Sequence, residues 1–490
     1  MKNKIKYLLL SIFILSLNIS SLLSDEIFNF NVSDIEITQN GNIFKGFNGG
    51  EAFTNNGVSI KANKFEYNKK TSLLISNGDV ELQDKLKNIT IEADEISYLK
   101  NEELIIASGN VKMQDYIKKS SIYADKIIFK KNEEIITANS NVYLEDKKNN
   151  IIFRTKKITY LRNKEEIYTI GESSANIQSK YEFVSEDLFF QKNKMKLSSN
   201  KKSFITDDQF SLYKLSSFVY QIDDKFLKGT DVTFTSNTNL PIRESDQLFF
   251  KNGFFDLKNK NFDTSEIKIK LKKNSFDRSE NDPRIYGASS SKNGGITSIK
   301  KAVFTSCKQT DKCPPWQLEA SEIKHDKNKK QLIYDNTILK IYDVPVFYFP
   351  KFFHPDPTVK RQSGFLPPKF NNSNVLGTSL SLPYFYAISE NKDLTISPTF
   401  FSKTTKLIQS EYRQKNQNSS FIADFGFTRS YKSPSSSKKK NINHLFAKLE
   451  KNLKLNNFVN SNFNIFYEKV TKDTYLKIFD DNLSISPIKP

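Results

Sequence analysis

From Ser59 onward the apolar positions fall in short alternating runs, and the runs recur every 31 residues. Ile60, Ile91 and Ile122 align, as do Ala62, Ala93 and Ala124, and Tyr67, Tyr98 and Phe129. Gly78 and Gly109 match, with Ser140 in the third place. Val80, Val111 and Val142 follow, then Asp84, Asp115 and Asp146. Phe153, Ile158, Tyr160 and Gly171 begin a fourth, weaker copy. A fixed period of about 20–50 residues marks stacked supersecondary units that share one core. Alternation of apolar and polar residues within each run predicts half-buried strands. Ile60 and Ala62 share one parity and Phe65 and Tyr67 the other, a phase change that predicts a bulge or corner. Asn77-Gly78-Asp79 reads as a turn between strands. The interior is either a packed solenoid or an open fold with an apolar groove, and the repeat alone does not separate these.

The copies lie near 59–88, 90–119, 121–150 and 152–180. Residues 181–345 keep a strand-like texture, with Phe183, Phe189, Phe190, Phe249 and Phe250 in short apolar runs. They are expected to continue the same architecture with eroded repeats; a separate β domain is the alternative. The last third alternates differently. In Phe421–Thr428 the odd positions are mostly apolar. Leu445, Ala447, Leu449, Leu453 and Leu455 alternate with polar or mixed residues, as do Val459, Phe463, Ile465 and Tyr467, and Asn456-Asn457 is placed at a tight turn between the two runs. Segments of about ten residues, apolar on one side, suit an outer-membrane barrel; a soluble antiparallel sheet has the same pattern. From about residue 373 roughly six such strands are expected. So few would leave edge amides unsatisfied in lipid, and the chain is expected to be a fragment of a longer protein.

Composition narrows the setting. Residues 1–24 read as a signal peptide, with Lys2, Lys4 and Lys6 before the short apolar stretch Leu8–Ile19 and Ser20, Ser21 and Ser24 after it. No other stretch reaches the length of an apolar membrane helix, so membrane residence would have to come from strands. The formal charge is +19, from lysines scattered along the chain rather than clustered. Nucleic acid is not expected as a partner of an exported chain. The charge fits either solvated strand faces or anionic lipid headgroups. Asp84, Asp115 and Asp146 read as turn formers, and no converging catalytic carboxylates are apparent. A zinc site from His325 and His354 lacks a standard spacing. No enzyme activity, cofactor or metal is expected.

One stretch is more specific. It runs through Phe304-Thr305-Ser306-Cys307, Pro315-Trp316-Gln317-Leu318, Val344-Pro345-Val346-Phe347-Tyr348-Phe349-Pro350 and Lys360-Arg361-Gln362-Ser363-Gly364-Phe365, then Leu382-Pro383-Tyr384-Phe385-Tyr386. Here the chain resembles the LptD (OstA/Imp) family of lipopolysaccharide-assembly outer-membrane proteins. The repeats resemble that family's OstA-type jellyroll, and Asp473-Thr474-Tyr475-Leu476 resembles a family word within its barrel.

The resemblance implies an all-β chain: a periplasmic β-jellyroll over 25–345, a connector over 346–372, and over 373–490 the incomplete N-terminal part of an antiparallel outer-membrane β-barrel. It implies that lipopolysaccharide acyl chains run along the jellyroll groove. Ile60, Ala62, Phe65, Ile91, Ala93, Ile96, Ile122, Ala124 and Ile127 become candidate walls of that groove. It implies delivery through a lateral barrel gate, with Pro368 and Pro383 matching the family's gate-loosening prolines. Its partners would be an LptE-like lipoprotein plug and an LptA-like periplasmic bridge protein. Cys307 and Cys313 are the only cysteines. They are expected to pair with each other, or Cys307 with C-terminal cysteines of a longer chain. The rival functions are a soluble bridge protein of the same pathway and a secreted β-solenoid adhesin or polysaccharide-active protein.

Overall fold

The computed structural model describes residues 28–236, 238, 246–271, 282–308, 315–356, 359, 361–403, 405–432, 439–455, 458–472, 474–479 and 482–486. The signal-peptide segment, Cys313, Asn456-Asn457 and Asp473 lie outside the described residues. The described chain is almost all β, as the alternation requires. It divides into two compact units. One holds the described residues up to Lys324 together with Tyr334–Lys351; the other holds His325–Ile333 and those from Phe352 onward.

The first unit is an antiparallel meander. Leu73–Asp84, Ile89–Leu99, Leu104–Asp115, Ser120–Lys130, Ile135–Asp146, Ile151–Leu161 and Glu166–Ile177 each pair with their sequence neighbours. Each ladder shifts register near its middle, at Asn77/Val80, Glu92/Glu95, Ser108/Val111, Tyr123/Lys126 and Thr155/Lys157. The shift is the predicted corner. It lets Ile91 and Ala93 face the interior from one half of a strand and Ile96 and Tyr98 from the other, because the one extra residue between Ala93 and Glu95 resets the side-chain parity.

The corner chemistry corrects one expectation. Asn77-Gly78-Asp79 lies inside the strand Leu73–Asp84, not between strands. Gly78 and Asp79 both have positive φ, as do Gly109 and Asn110, and Ser140 and Asn141. A side chain on the facing corner closes the motif: Asn110 Nδ2 donates to Asp94 Oδ2 at 2.9 Å, and Asn141 Nδ2 to Asp125 Oδ2 at 2.9 Å. Gly109 is required twice over. Its φ is +79°, and a Cβ there would lie 2.2 Å from Asp94 Oδ2.

The meander continues through Phe226–Thr235, Gln247–Asp256, Asn261–Lys270, Arg284–Asn293 and Ile296–Thr305. Positive-φ residues recur there at Asp231, Glu266, Lys301 and Asn336, so the corner persists while the period lengthens to 35 residues. The stretch 346–372, expected as a connector, contains the end of the strand Val344–Pro355, Gly364–Phe365 and the start of Lys369–Ser373.

The second unit carries a nine-stranded antiparallel sheet from Gly364–Phe365 to Asn462–Val470; seven of these strands begin after residue 373, close to the six or so expected from there. Leu453, Leu455 and Val459 fall outside strands, since one ends at Asn452 and the next begins at Asn462. A short helix, Tyr475–Phe479, follows and packs Tyr475 and Phe479 against Leu376, Phe401, Leu407, Tyr431 and Ile442.

Candidate functional site

The nine candidate groove residues share one interior. Each strand folds at its corner, so its two halves face each other and enclose the apolar side chains. Ile60, Phe65, Ile91, Ile96, Ile122 and Ile127 are at most 3% exposed, and Ala62, Ala93 and Ala124, next to the corners, are 6–7% exposed. Tyr67, Tyr98, Phe129 and Tyr160 form an aromatic row at the far end of the same interior, all buried. The interior walls are therefore apolar over several consecutive repeats.

Folding at the corner also brings the two ends of every strand together, and charged residues meet there. Asp84, Asp115 and Asp146 end one set of half-strands. Each carries an oxygen that accepts backbone N–H groups of its turn, from Lys87 (3.0 Å), Lys118 (2.9 Å) and Lys148 (3.1 Å), the turn-forming role the sequence suggested. The turns of the opposite half-strands supply cations. Lys131 Nζ lies 2.9 Å from Asp84 and 3.0 Å from Glu103. Arg162 Nε lies 2.6 Å from Asp115, and its Nη1 pairs with Glu134. Lys192 Nζ lies 3.1 Å from Asp146 and donates to the Lys118 carbonyl at 2.8 Å. Lys87 pairs with Glu134, and Lys118 with Glu165 at 2.5 Å. The offset between partners is 47 residues in four of these cross-mouth pairs and 46 in Lys192–Asp146.

The row is balanced and largely buried. Lys131, Arg162 and Lys192 are 5–9% exposed and their aspartates 1–4%. Burial alone would raise the Glu103 and Glu134 carboxyls. Hydrogen bonds from Lys100, Tyr98 and Lys131 outweigh it at Glu103, as Lys87 and Arg162 do at Glu134, and both are held below the usual carboxylate range. The Lys118 ammonium does the same for Glu165. The sequence carried this signal in aligned charges at Glu103/Glu134/Glu165, Lys100/Lys131/Arg162 and Lys87/Lys118; reading only the aspartates as turn formers missed it.

The second unit exposes apolar side chains on its outer face and buries a polar cluster beside the aromatic core around Tyr475 and Phe479. On Ser419–Lys432, Asp424 and Thr428 are fully buried while Phe425 is 42% exposed. On the neighbouring strands Gln409 and His444 point inward, and Ile408 and Leu445 outward. Phe425 sits across from Leu445 and Ser410, and Leu449 across from Ile465. Gln409, Asp424, His444 and Tyr475 form one connected polar cluster. Gln409 Nε2 donates to both Asp424 oxygens (3.0 and 3.1 Å), the Ser484 amide donates to Asp424 at 2.6 Å, and His444 Nε2 lies 3.2 Å from Asp424. The Tyr475 hydroxyl is 2.7 Å from His444 Nδ1. Gly426 makes room for this contact, since a Cβ there would lie 2.4 Å from the imidazole and 2.7 Å from the Tyr475 oxygen.

Pro368 and Pro383 fall at breaks in two adjacent strands. Gly364–Phe365 and Lys369–Ser373 are separated by Leu366-Pro367-Pro368; Gly377–Ser381 and Tyr384–Ser389 are separated by Leu382-Pro383. Gly364–Phe365 pairs with Tyr384–Ser389, and Lys369–Ser373 with Gly377–Ser381, so the breaks lie side by side. The Leu366 amide donates to the Pro383 carbonyl (2.8 Å), and the Leu382 amide to the Pro398 carbonyl on the next strand (3.0 Å). Prolines withhold donors at this level of three neighbouring strands. Behind them lies a cavity of about 300 Å³ lined by Lys369, Asn371, Ser381, Pro383, Thr395 and Glu411 among others. Below the break Arg361 pairs with Asp393 and donates to the Glu390 carbonyl at 2.6 Å, while Arg413 Nε reaches Asp393 at 2.8 Å. Arg361 thus clamps the segment entering the sheet.

Cys307 is half-buried, its Sγ 3.7 Å from the Trp316 carbonyl; its expected partner Cys313 lies outside the described residues. His325, weighed above with His354 as a zinc site, sits on the strand Trp316–Asp326 with Nε2 2.5 Å from Asp356 Oδ2. Among the described residues no group of three or more His, Cys, Asp or Glu is placed to hold a metal ion, and no helix is long and apolar enough to cross a membrane.

Comparison with known proteins adds two family matches. Residues 332–480 match the family described as LptD protein, and residues 59–188 match the LptA/(LptD N-terminal domain) LPS transport protein family. The LPS-assembly protein LptD of Ectopseudomonas mendocina is 32% identical over 124 residues, 25% of this chain and 13% of that protein. That of Legionella pneumophila is 29% identical over 197 residues, 38% and 23% respectively. That of Pseudoalteromonas translucida is 34% identical over 119 residues, 24% and 16%. The matches thus span less than a quarter of these relatives' own length. Among solved structures, LptH of Pseudomonas aeruginosa, an LptA homologous periplasmic component of the lipopolysaccharide transport device, is similar at 17% identity, covering 22% of this chain and 79% of that one with a TM-score of 0.20.

Proposed function

Since the chain belongs to the LptD family, we propose that it transports lipopolysaccharide to the outer leaflet of the outer membrane. In this reading the repeats carry the lipid's acyl chains, and the strands of the second unit form part of a membrane barrel. The observation that carries it is the inversion between the units. The first buries apolar side chains and pairs its charges at the strand ends; the second buries Asp424, Gln409 and Thr428 and exposes Ile408, Phe425 and Leu445. Apolar-out strands with a polar interior suit a wall between lipid and water, whereas a secreted adhesin or soluble bridge protein would expose that apolar band to solvent at high cost.

Each unit then has a task set by its chemistry. An acyl chain is stable only where water is excluded, and the walls at Ile60, Phe65, Ile91, Ile96, Ile122 and Ile127, with the alanines beside the corners, provide that environment. A saccharide headgroup needs hydrogen-bonding partners, which Asn371, Ser381, Thr395 and Glu411 offer behind the prolines. The proline breaks at Pro368 and Pro383 weaken strand pairing where the lipid would leave sideways. Partners of this reading are an LptA-like bridge protein, an LptE-like plug and lipopolysaccharide itself. The energy comes from elsewhere in the pathway, so the chain needs no catalytic group.

Fractionation and surface labelling test the proposal. The protein should stay with outer membranes after carbonate washing, and its depletion should strip lipopolysaccharide from the cell surface. A chain released by carbonate, or depletion that leaves surface lipopolysaccharide intact, contradicts it.

A further inference from the structure

The apolar interior has a mouth, and the charged row closes it. Asp84, Asp115 and Asp146 stand at the ends of one set of half-strands, with Lys87 and Lys118 in the turns that follow. Glu103, Lys131, Glu134, Arg162, Glu165 and Lys192 stand in the turns of the opposing set. Every pair with the 47- or 46-residue offset spans the gap between the two sets. Arg162 and Lys192 add bonds to the Lys87 and Lys118 carbonyls across it, at 3.4 and 2.8 Å. The aromatic row lies next to this seam: Tyr98 donates to Glu103 at 2.7 Å, and Lys131 donates to the Tyr98 oxygen at 3.4 Å. A chain entering the interior sideways between the half-strands must part these pairs.

We infer that the cross-mouth ion pairs are a latch, opened rung by rung when an amphiphile with an anionic headgroup enters the interior. The chemistry allows an exchange. Lys131, Arg162 and Lys192 form a row of cations at the mouth, each held by carboxylates, and a lipid phosphate can take the place of a carboxylate on the same cation. The rungs differ in strength. Lys87–Glu134 and Lys118–Glu165 are 20–35% exposed and screened by solvent, so they part first; the buried Arg162–Asp115 and Lys131–Asp84 pairs hold until a replacement anion arrives. The inference rests on the lipid-transport reading, because an interior that never admits a ligand needs no latch.

The test places spin labels at Ile117, 57% exposed in one set of turns, and Glu133, exposed in the other. The full chain is measured with and without purified lipid A, and lipid A bound is measured on the same samples. The latch predicts one short distance in the lipid-free protein and a second, longer one that grows with bound lipid A. Lys87→Gln with Lys118→Gln should raise the long-distance population about two- to fivefold at subsaturating lipid A, the effect of losing partly exposed ion pairs. Lys118→Gln alone, a milder change, should raise it less. Lipid A bound with the distance unchanged overturns the latch and leaves the transport reading standing. No lipid A bound by the wild type or either variant overturns both.

Discussion

Arg162→Met isolates the centre of the charged row. Arg162 is 5% exposed and serves Asp115 through Nε, Glu134 through Nη1 and the Lys87 carbonyl through Nη2. Methionine keeps the apolar stem and removes the charge. Asp115, 4% exposed, then keeps only the Lys118 amide on its other oxygen, while Glu134 retains Lys87. Removing one partner of a buried pair costs about 3–5 kcal/mol, because the other is left as an uncompensated charge. The retained bonds place this case near 3 kcal/mol. For a unit of this size that lowers the melting temperature by about 5 °C. Since two units need not melt together, hydrogen exchange of the Ile105, Ile127 and Ile136 amides gives the local reading. Replacing both partners, Arg162→Met with Asp115→Asn, should recover most of the loss, because no orphaned charge remains. A single variant within about 1 kcal/mol of wild type, or a double variant no better than the single, refutes a buried, mutually dependent pair.

Other outcomes follow from the same geometry. Gly109→Ala should destabilise the repeats by about 1–3 kcal/mol through its positive φ and the clash with Asp94, measured by denaturant unfolding, with an alanine at the exposed Glu92 as the control. Glu103, Glu134 and Glu165 have folded values below the ordinary 4.5. Their contribution is therefore complete above about pH 4.5 and is lost as pH falls through the lower folded values; an acid titration followed by circular dichroism should show it, with the midpoint moving up in Lys118→Gln. Pro368→Ala with Pro383→Ala should restore ladder donors worth about 1 kcal/mol each and slow the appearance of surface lipopolysaccharide without lowering the amount of assembled protein. Gly426→Ala should displace Tyr475 from His444 and raise hydrogen exchange in the Tyr475–Phe479 helix.

Much of this architecture is legible in the chain because it repeats. The parity change between Ala62 and Phe65 announced the corner, and the aligned isoleucines announced the shared interior. What a single repeat could not show is which residues meet across the fold. The offset of 47 residues between Arg162 and Asp115 is the 31-residue period plus half a turn of the meander, so the ion pairs emerge only once the strand is folded at its corner. Asn77-Gly78-Asp79 misled because two positive-φ residues suit a turn and a corner equally, and only the ladder on both sides decides. In the second unit the alternation of Phe425 and Leu445 was readable, but its sense was not. Period two states that two faces differ, and neighbours such as Gln409, Asp424 and Ser484 are needed to say that the polar face is inside. The proline breaks were visible as prolines; that they lie side by side is a property of register.

The central claim is that the interior walls carry lipid. A photo-crosslinking amino acid at Ile91, fully buried in that interior, should capture lipopolysaccharide in living cells, whereas the same group at the adjacent, outward Glu92 should not. Equal capture at both positions, or none at Ile91 in cells that still deliver lipopolysaccharide to the surface, contradicts the account.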